Sequence, residues 1–129
     1  MIVLDTSAVM ALLLEDESTD ALADAVVSED LIMSAGTYSE LLVVALNRGL
    51  ADTVKRFVAD LGVRISPVDA DAAQQVANAF QTWGRGRHAA GLNFADCYAY
   101  ALAVDRELNL LCAGPHFAKT DVELHPASA

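Results

Sequence analysis

The stretch MIVLDTSAVM, residues 1–10, decides the fold of this chain because it joins a short strand to the start of a helix. The apolar residues MIVL predict a buried strand, and the hydroxyls that follow Asp5 begin an apolar run suited to a helix. Parallel α/β sheets are built from such units. We therefore expect Asp5 at the carboxyl edge of the sheet, where open α/β folds form their binding crevice.

The rest of the chain repeats this alternation of short apolar strands and helices. Strands are predicted at 31–34, 63–68 and 108–114, with a weak last strand at 122–124. Helices are predicted at 6–15, 18–29, 36–49, 51–62, 69–83 and 93–108. Ser18 or Thr19 is expected to cap the second helix, and Asn93 the last. Flexible segments are expected at 84–91 and 125–129.

The length and the order of elements predict one domain. A chain of 129 residues is long enough for a single core and too short for two ordinary domains. Residues 1–129 are therefore predicted to form one α/β domain, with a parallel sheet of about four to five short strands covered by helices on both faces.

Composition limits the classes of protein that fit. Apolar residues make up 54% of the chain, but charged residues interrupt every long apolar run, so no membrane span is predicted. The net charge of −10 argues against a protein that coats nucleic acid, whereas an acidic surface suits a basic protein partner. Cys97 and Cys112 lie in apolar segments and the sequence start lacks a basic signal region, so we expect a cytoplasmic protein with reduced core thiols.

Three acidic residues, Asp5, Glu40 and Asp96, differ from the others because each lies alone in an apolar run. Each has an ordinary local explanation. Asp5 could cap a helix, and Glu40 could interact with the helix dipole in the first turns of another. Asp96 could be the reciprocal partner of an Asn93 cap. All three helices nevertheless start at the same predicted edge of the sheet, so their first turns should converge.

Converging carboxylates in a partly dry crevice repel one another, and a buried unpaired charge is costly. They must take up protons or bind a cation. Oxygen ligands without a nearby His or thiolate pair favour Mg²⁺ or Mn²⁺. Such an ion suits phosphate binding and the activation of water, so the sequence predicts metal-dependent hydrolysis of a phosphodiester.

Four segments together resemble a known family. They are MIVLDTSA at 1–8, TYSE at 37–40, LNFADCYAYALA at 92–103 and LLCAGPHFAKTDV at 110–122. In order and spacing they are similar to the PIN-domain ribonucleases of bacterial VapC-type toxins. The resemblance implies a three-layer α/β/α sandwich, Mg²⁺- or Mn²⁺-dependent cleavage of RNA, and frequent homodimers. It also implies a cognate VapB-type antitoxin, through which DNA is bound only indirectly.

The resemblance assigns roles to individual residues. The acidic positions of the family's metal site are matched by Asp5, Glu40 and Asp96. The flanking polar positions, which can orient carboxylates or water, are matched by Thr6, Ser7 and Asn93. Phosphates of the RNA could be held by Arg85 and Arg87 in the loop 84–91, and more weakly by His88.

The segment GPHF at 114–117 departs from the GDDF-like or GNDF-like segment of the family. His116 stands where a fourth carboxylate is expected, and Pro115 replaces a polar neighbour. His116 could be a surface residue in a weakened metal site, a metal ligand or a proton donor. Asp121 matches another acidic position and could complete the site or assist the attacking water. An alternative function is therefore a catalytically weakened PIN module that acts mainly by binding the antitoxin.

Overall fold

The structure is a computed structural model that describes residues 1–14 and 19–129. The predicted Ser18 cap and the predicted end of the first helix at residue 15 lie outside the described residues. In chain order the described elements are β1 (Ile2–Leu4), α1 (Thr6–Leu13), α2 (Asp20–Ser28), β2 (Leu31–Ser34), α3 (Ala35–Asn47), α4 (Ala51–Asp60), β3 (Arg64–Ser66), α5 (Ala70–Trp83), α6 (Asp96–Arg106) and β4 (Leu110–Leu111).

The strands form one parallel sheet in the order β3-β2-β1-β4. In the register of the sheet, Ile2 of β1 lies opposite Leu31 of β2, and Val3 lies opposite Leu110 of β4. Strand β1 is central and buried along its whole length, which explains why its residues 2–4 are all apolar. Because the strands are parallel, the chain leaves β1, β2 and β4 at the same edge of the sheet.

Alternate residues of each strand face two separate cores, so the sheet is the middle layer of an α/β/α sandwich. Ile2 and Leu4 pack with apolar residues of α1, α2, α3 and α4. Val3 and Ile32 point to the other face and pack with α5 and α6. This alternation follows from the two-residue period of a strand. The predicted three-layer α/β architecture is confirmed.

The weak last strand predicted at 122–124 is reduced to a single bridge. Only Leu124 pairs with Leu110, as an isolated parallel bridge, and the described sheet has four strands. Two backbone hydrogen bonds join the segments, one from Leu110 N–H to Glu123 O and one from His125 N–H to Leu110 O. The chain then turns, because Ala127 N–H donates to His125 Nδ1 and Ser128 N–H donates to His125 O. Strand β4 is correspondingly short, with two residues in place of the predicted 108–114.

The two segments expected to be flexible are held by hydrogen bonds. Gly84 pairs with Leu92 and closes the loop 84–91 at its base. At the other end of the chain, Ala129 N–H donates to Cys112 O, and Gly114 N–H donates to Ala129 O. The composition of these segments suggested loops, but it could not show that backbone groups of β4 and its following turn would bind the last residues.

Helix starts and ends follow the predicted chemistry in most places. Gly49 and Gly62 follow α3 and α4 with φ angles of 70° and 63°, which favour glycine. Thr19 occupies the N-cap position of α2 but its side chain makes no capping hydrogen bond. Among the described helices, none has both the length and the apolar character needed to cross a membrane.

Candidate functional site

Asp5 lies directly after β1, at the edge of the sheet that the sequence predicted, and is 4% exposed. One carboxylate oxygen, Oδ2, caps α1 by accepting hydrogen bonds from Ser7 N–H at 3.0 Å and from Ser7 Oγ at 2.6 Å. The other oxygen, Oδ1, is buried and has no hydrogen-bond partner among residues 1–14 and 19–129. Asp5 is therefore both a helix cap and an incompletely satisfied buried carboxylate.

The electrostatic environment of Asp5 reflects this burial. Its pKa is raised from 3.8 to about 6, chiefly because burial penalises the charged form. The hydrogen bonds from Ser7 oppose the rise, whereas the negative charges of Asp96 and Glu40 add to it. Asp5 therefore lies within electrostatic range of both of the other lone carboxylates.

Glu40 lies in the second turn of α3 and is hydrogen-bonded to the first residue of α1. Thr6 Oγ1 donates a hydrogen bond of 2.6 Å to Glu40 Oε1, so a hydroxyl predicted to orient a carboxylate does so. Thr37, one turn before Glu40, has a fully buried hydroxyl with no partner in the described part of the chain. Two incompletely satisfied polar groups, Asp5 Oδ1 and the Thr37 hydroxyl, thus belong to the helix starts α1 and α3.

Asp96 is the first residue of α6 and is 5% exposed. Its Oδ2 accepts a hydrogen bond from Asn93 N–H at 3.0 Å, and its own N–H donates to Asn93 Oδ1 at 2.7 Å. The two residues form the reciprocal capping pair that the sequence allowed. This pair fixes the direction of the Asp96 carboxylate at the same sheet edge.

A basic cleft opens beside Asp96. It has a volume of about 300 Å³ and is lined by residues that include Arg85, Asn93, His116 and Lys119. His116 Nδ1 lies 3.3 Å from Asp96 Oδ2, and the imidazole side chain is 58% exposed. The cleft therefore surrounds one buried carboxylate with three basic side chains. Lys119 was not predicted from the sequence as a site residue, although its place in the loop after β4, at the carboxyl edge of the sheet, was a usable signal.

Two predicted site residues lie elsewhere. The Arg87 guanidinium lies over the Phe80 ring, 6.0 Å from its centroid, and Arg87 does not line the basic cleft. Asp121 Oδ1 accepts a hydrogen bond of 2.5 Å from Tyr100 Oη, which in turn accepts one from Trp83 Nε1. Burial and this bond to Asp121 raise the pKa of Tyr100 to about 12. Asp121 also lines a groove between α5 and α6.

Ser7 connects the acidic region to the loop after β4. Its Oγ donates to Asp5 and accepts a hydrogen bond of 3.0 Å from Ala113 N–H. The segment that carries His116 and Lys119 begins directly after Ala113. A polar residue predicted only as a flanking group therefore helps to fix both walls of the site.

The donor chemistry fits a hard divalent cation. Within the described residues, no three His, Cys, Asp or Glu side chains come together tightly enough to enclose an ion. The candidate donors are nevertheless carboxylate oxygens, and the buried Asp5 Oδ1 lacks any partner in that part of the chain. A cation with oxygen ligands would satisfy that atom and reduce the repulsion between Asp5, Glu40 and Asp96.

The chain is similar to known proteins over almost its whole length. A family model described as the PIN domain matches residues 2–123. Ribonuclease VapC42 of Mycobacterium tuberculosis is 36% identical over 125 residues, which cover 93% of this chain and 95% of the relative. A toxin-antitoxin complex from Klebsiella pneumoniae has a TM-score of 0.76 at 17% identity over 100% of both chains. A structure of FitAB bound to an IR36 DNA fragment has a TM-score of 0.67 at 25% identity, over 97% of this chain and 94% of that one.

Proposed function

The chain belongs to the PIN-domain family of VapC ribonuclease toxins, and on that premise we propose that it is a metal-dependent endoribonuclease that hydrolyses RNA phosphodiesters. The observation that carries the proposal is the buried Asp5 carboxylate, whose Oδ1 has no partner in the described chain and whose pKa is raised by burial and by Asp96 and Glu40. A purely structural role does not explain why a buried carboxylate lies within range of two further negative charges.

Asp5, Glu40 and Asp96 are the residues that would hold Mg²⁺ or Mn²⁺ in this proposal. Such an ion, when bound, supplies Lewis-acid activation of the phosphodiester and of water. The chain contributes the orientation of the ligands: Ser7 fixes Asp5, Thr6 fixes Glu40, and Asn93 fixes Asp96. Glu40 is half-buried and is one of the two acids proposed to take a proton from the attacking water.

Asp121, the other acid proposed to assist the water, has its carboxylate engaged by Tyr100. Glu40 likewise accepts a hydrogen bond at one carboxylate oxygen, from Thr6, so both acids are retained in the proposal as groups that assist the water. The basic cleft is proposed to hold the RNA backbone, with Arg85 and Lys119 on phosphates. Arg87, which lies over Phe80, is left out of this phosphate site.

The partner proposed for this toxin is a cognate VapB-type antitoxin with a basic segment. An antitoxin Arg that reaches the three carboxylates would imitate the cation, and the chain's net charge of −10 favours such a partner. Apolar side chains that are exposed on α2 and α3, Val27, Val43 and Leu46, are available for antitoxin or homodimer contacts. Contact with DNA is proposed only through the antitoxin. An antitoxin whose binding survives the loss of every such Arg would contradict this arrangement.

The test is cleavage of RNA by the purified protein and by two matched variants. Asp96→Asn removes one charge from the site but keeps the oxygen that accepts from Asn93 N–H, so it should fold and lose cleavage. Asp105→Asn removes an exposed carboxylate from the same helix and should cleave like the parent. Sequencing the RNA 5′ ends after induced expression of all three proteins would identify the cut sites and show whether they depend on Asp96.

One observation favours a second candidate, a catalytically weakened module that mainly binds the antitoxin. His116 occupies the side of the basic cleft facing Asp96, where an additional carboxylate would strengthen cation binding. The two candidate functions lead to different results for the unmutated protein. Cleavage that requires Mg²⁺ or Mn²⁺ and disappears in Asp96→Asn supports the enzyme, whereas antitoxin binding without cleavage at any metal concentration supports the module.

A further inference from the structure

Phe94 is a large aromatic residue that the fold leaves 62% exposed, and it follows Asn93 of the basic cleft directly in the chain. It stands in the turn between Asn93 and Asp96, whose reciprocal hydrogen bonds fix the backbone on both sides of it. Asn93 and Asp96 line the basic cleft. The same turn therefore holds a buried carboxylate inside the cleft and presents an aromatic ring to solvent.

The ring is supported without being covered. Phe94 packs edge-on against Tyr98, with ring centroids 5.1 Å apart and planes at 70°. Tyr98 is in turn pressed against Gly36 at the start of α3, where a Cβ atom would overlap its ring. An aromatic ring held by such contacts loses little conformational freedom when a second ring stacks on it. Phe94 is thus a preorganised platform beside the site.

The charges next to Phe94 indicate which ligand would use it. The chain as a whole carries −10, yet the cleft lined by Asn93 and Asp96 has Arg85, His116 and Lys119 on its walls. Local basic groups beside an exposed aromatic ring are the combination by which proteins bind single-stranded nucleic acid: cations contact the backbone and the ring stacks on a base. An apolar protein segment would gain nothing from the three basic groups.

We propose that Phe94 is a substrate-binding residue that stacks on an unpaired RNA base adjacent to the phosphate held in the basic cleft. This inference rests on the proposed ribonuclease function and extends it from the phosphodiester to the base beside it. Stacking is tolerant of sequence because every base has a π-face. Phe94 would therefore favour single-stranded over paired RNA without selecting one base.

The test measures binding of a fluorescent single-stranded RNA oligonucleotide that spans the mapped cut site. Asp96→Asn serves as the background, so that the RNA stays intact. In that background Phe94→Ala should weaken binding about 5- to 150-fold, the range for loss of one base stack. Phe94→Leu, which keeps apolar bulk, should recover little of the affinity, and Phe94→Tyr should recover most of it. Val104→Ala, which truncates an exposed apolar residue at the far part of α6, is the matched control and should bind like the background.

Oligonucleotides with one abasic site at each position make the test specific. If Phe94 stacks on a base, one abasic position weakens binding to the background protein but has no further effect on Phe94→Ala. The inference is overturned if Phe94→Ala binds all the oligonucleotides as tightly as the background does. It is also overturned if Phe94→Ala changes the molecular mass in solution or antitoxin affinity while RNA binding stays intact, since the ring would then be a protein contact.

Failure of this inference is distinguishable from failure of the proposed function. Metal-dependent cleavage by the parent together with normal RNA binding by Phe94→Ala rejects the stacking role alone. A parent protein that neither binds nor cleaves RNA rejects both. With cleavage established, Phe94→Ala should raise KM with a smaller effect on kcat, because Phe94 does not touch the reacting atoms.

Discussion

Replacement of Asp5 by Asn tests whether the fold buries an uncompensated charge at the site. The pKa of Asp5 is raised from 3.8 to about 6, mainly by burial. The folded protein therefore keeps this proton to a higher pH than the unfolded chain does. The contribution of Asp5 to stability is fully present in acid below the unfolded pKa, and it is lost as the pH rises through about 6.

The size of the effect follows from the pKa values. At about 1.36 kcal/mol per pKa unit, the full difference is about 3 kcal/mol. The protein has a pI near 4.4, so acid solutions near that value invite precipitation. Between about pH 5 and about pH 7.5, the free energy of unfolding of the parent should fall relative to Asp5→Asn by about 1.4 kcal/mol. The hydrogen bonds of the new amide in Asp5→Asn change the free energy of unfolding by a constant amount that does not vary with pH.

Urea denaturation in the presence of EDTA, followed by Trp83 fluorescence, gives the free energies for both proteins across this pH range. Asp105→Asn is the control, because its carboxylate is exposed and its difference from the parent should stay flat. Added Mn²⁺ at neutral pH should then stabilise the parent but not Asp5→Asn, since an ion that binds only the folded state stabilises it. A stability difference between parent and Asp5→Asn that is constant with pH would refute the buried-charge argument.

Two further changes test the role of Lys119 and the hydrogen bonds of Tyr100. Lys119→Ala should raise KM for RNA. It should also reduce the slope of log affinity against log salt concentration by about 0.7, which is the value for one phosphate contact on a single strand. An unchanged slope in a salt titration would show that Lys119 does not contact the RNA backbone. Tyr100→Phe removes the hydroxyl between Trp83 and Asp121, so it should lower the free energy of unfolding by about 1 kcal/mol in urea titrations. Equal denaturation midpoints for Tyr100→Phe and the parent would show that this link adds no stability.

Much of the fold could be predicted from the sequence because its signals are local. Runs such as MIVL and LIMS are apolar on both sides, as strands buried in a parallel sheet must be, and they alternate with helical segments. Asp5 and Asp96 stood out for the same reason, because each is an isolated charge next to residues that have to be buried. The reciprocal bonds between Asn93 and Asp96 were also accessible, since the two residues are only three apart.

The predictions that were wrong or incomplete concern groups far apart in the chain. Residues 122–124 had the composition of a strand, but a turn follows His125 and their pairing with β4 is a single bridge. Asp121 matched a family position, and the sequence did not predict that its Oδ1 accepts a hydrogen bond from Tyr100, 21 residues earlier. Nothing near Asp121 in the sequence could show that contact.

By itself, the sequence determined the α/β class, the order of strands and helices, and the three acidic residues at the helix starts, because hydrophobic period and capping chemistry act over a few neighbouring residues. Only the tertiary structure decided which basic and aromatic side chains surround Asp96. Arg85 and Phe94 come from the connection between α5 and α6 and Lys119 comes from the loop after β4, and their relative positions depend on how the sheet and the helical layers pack. This packing depends on contacts throughout the core, so it cannot be predicted from the sequence of any single segment.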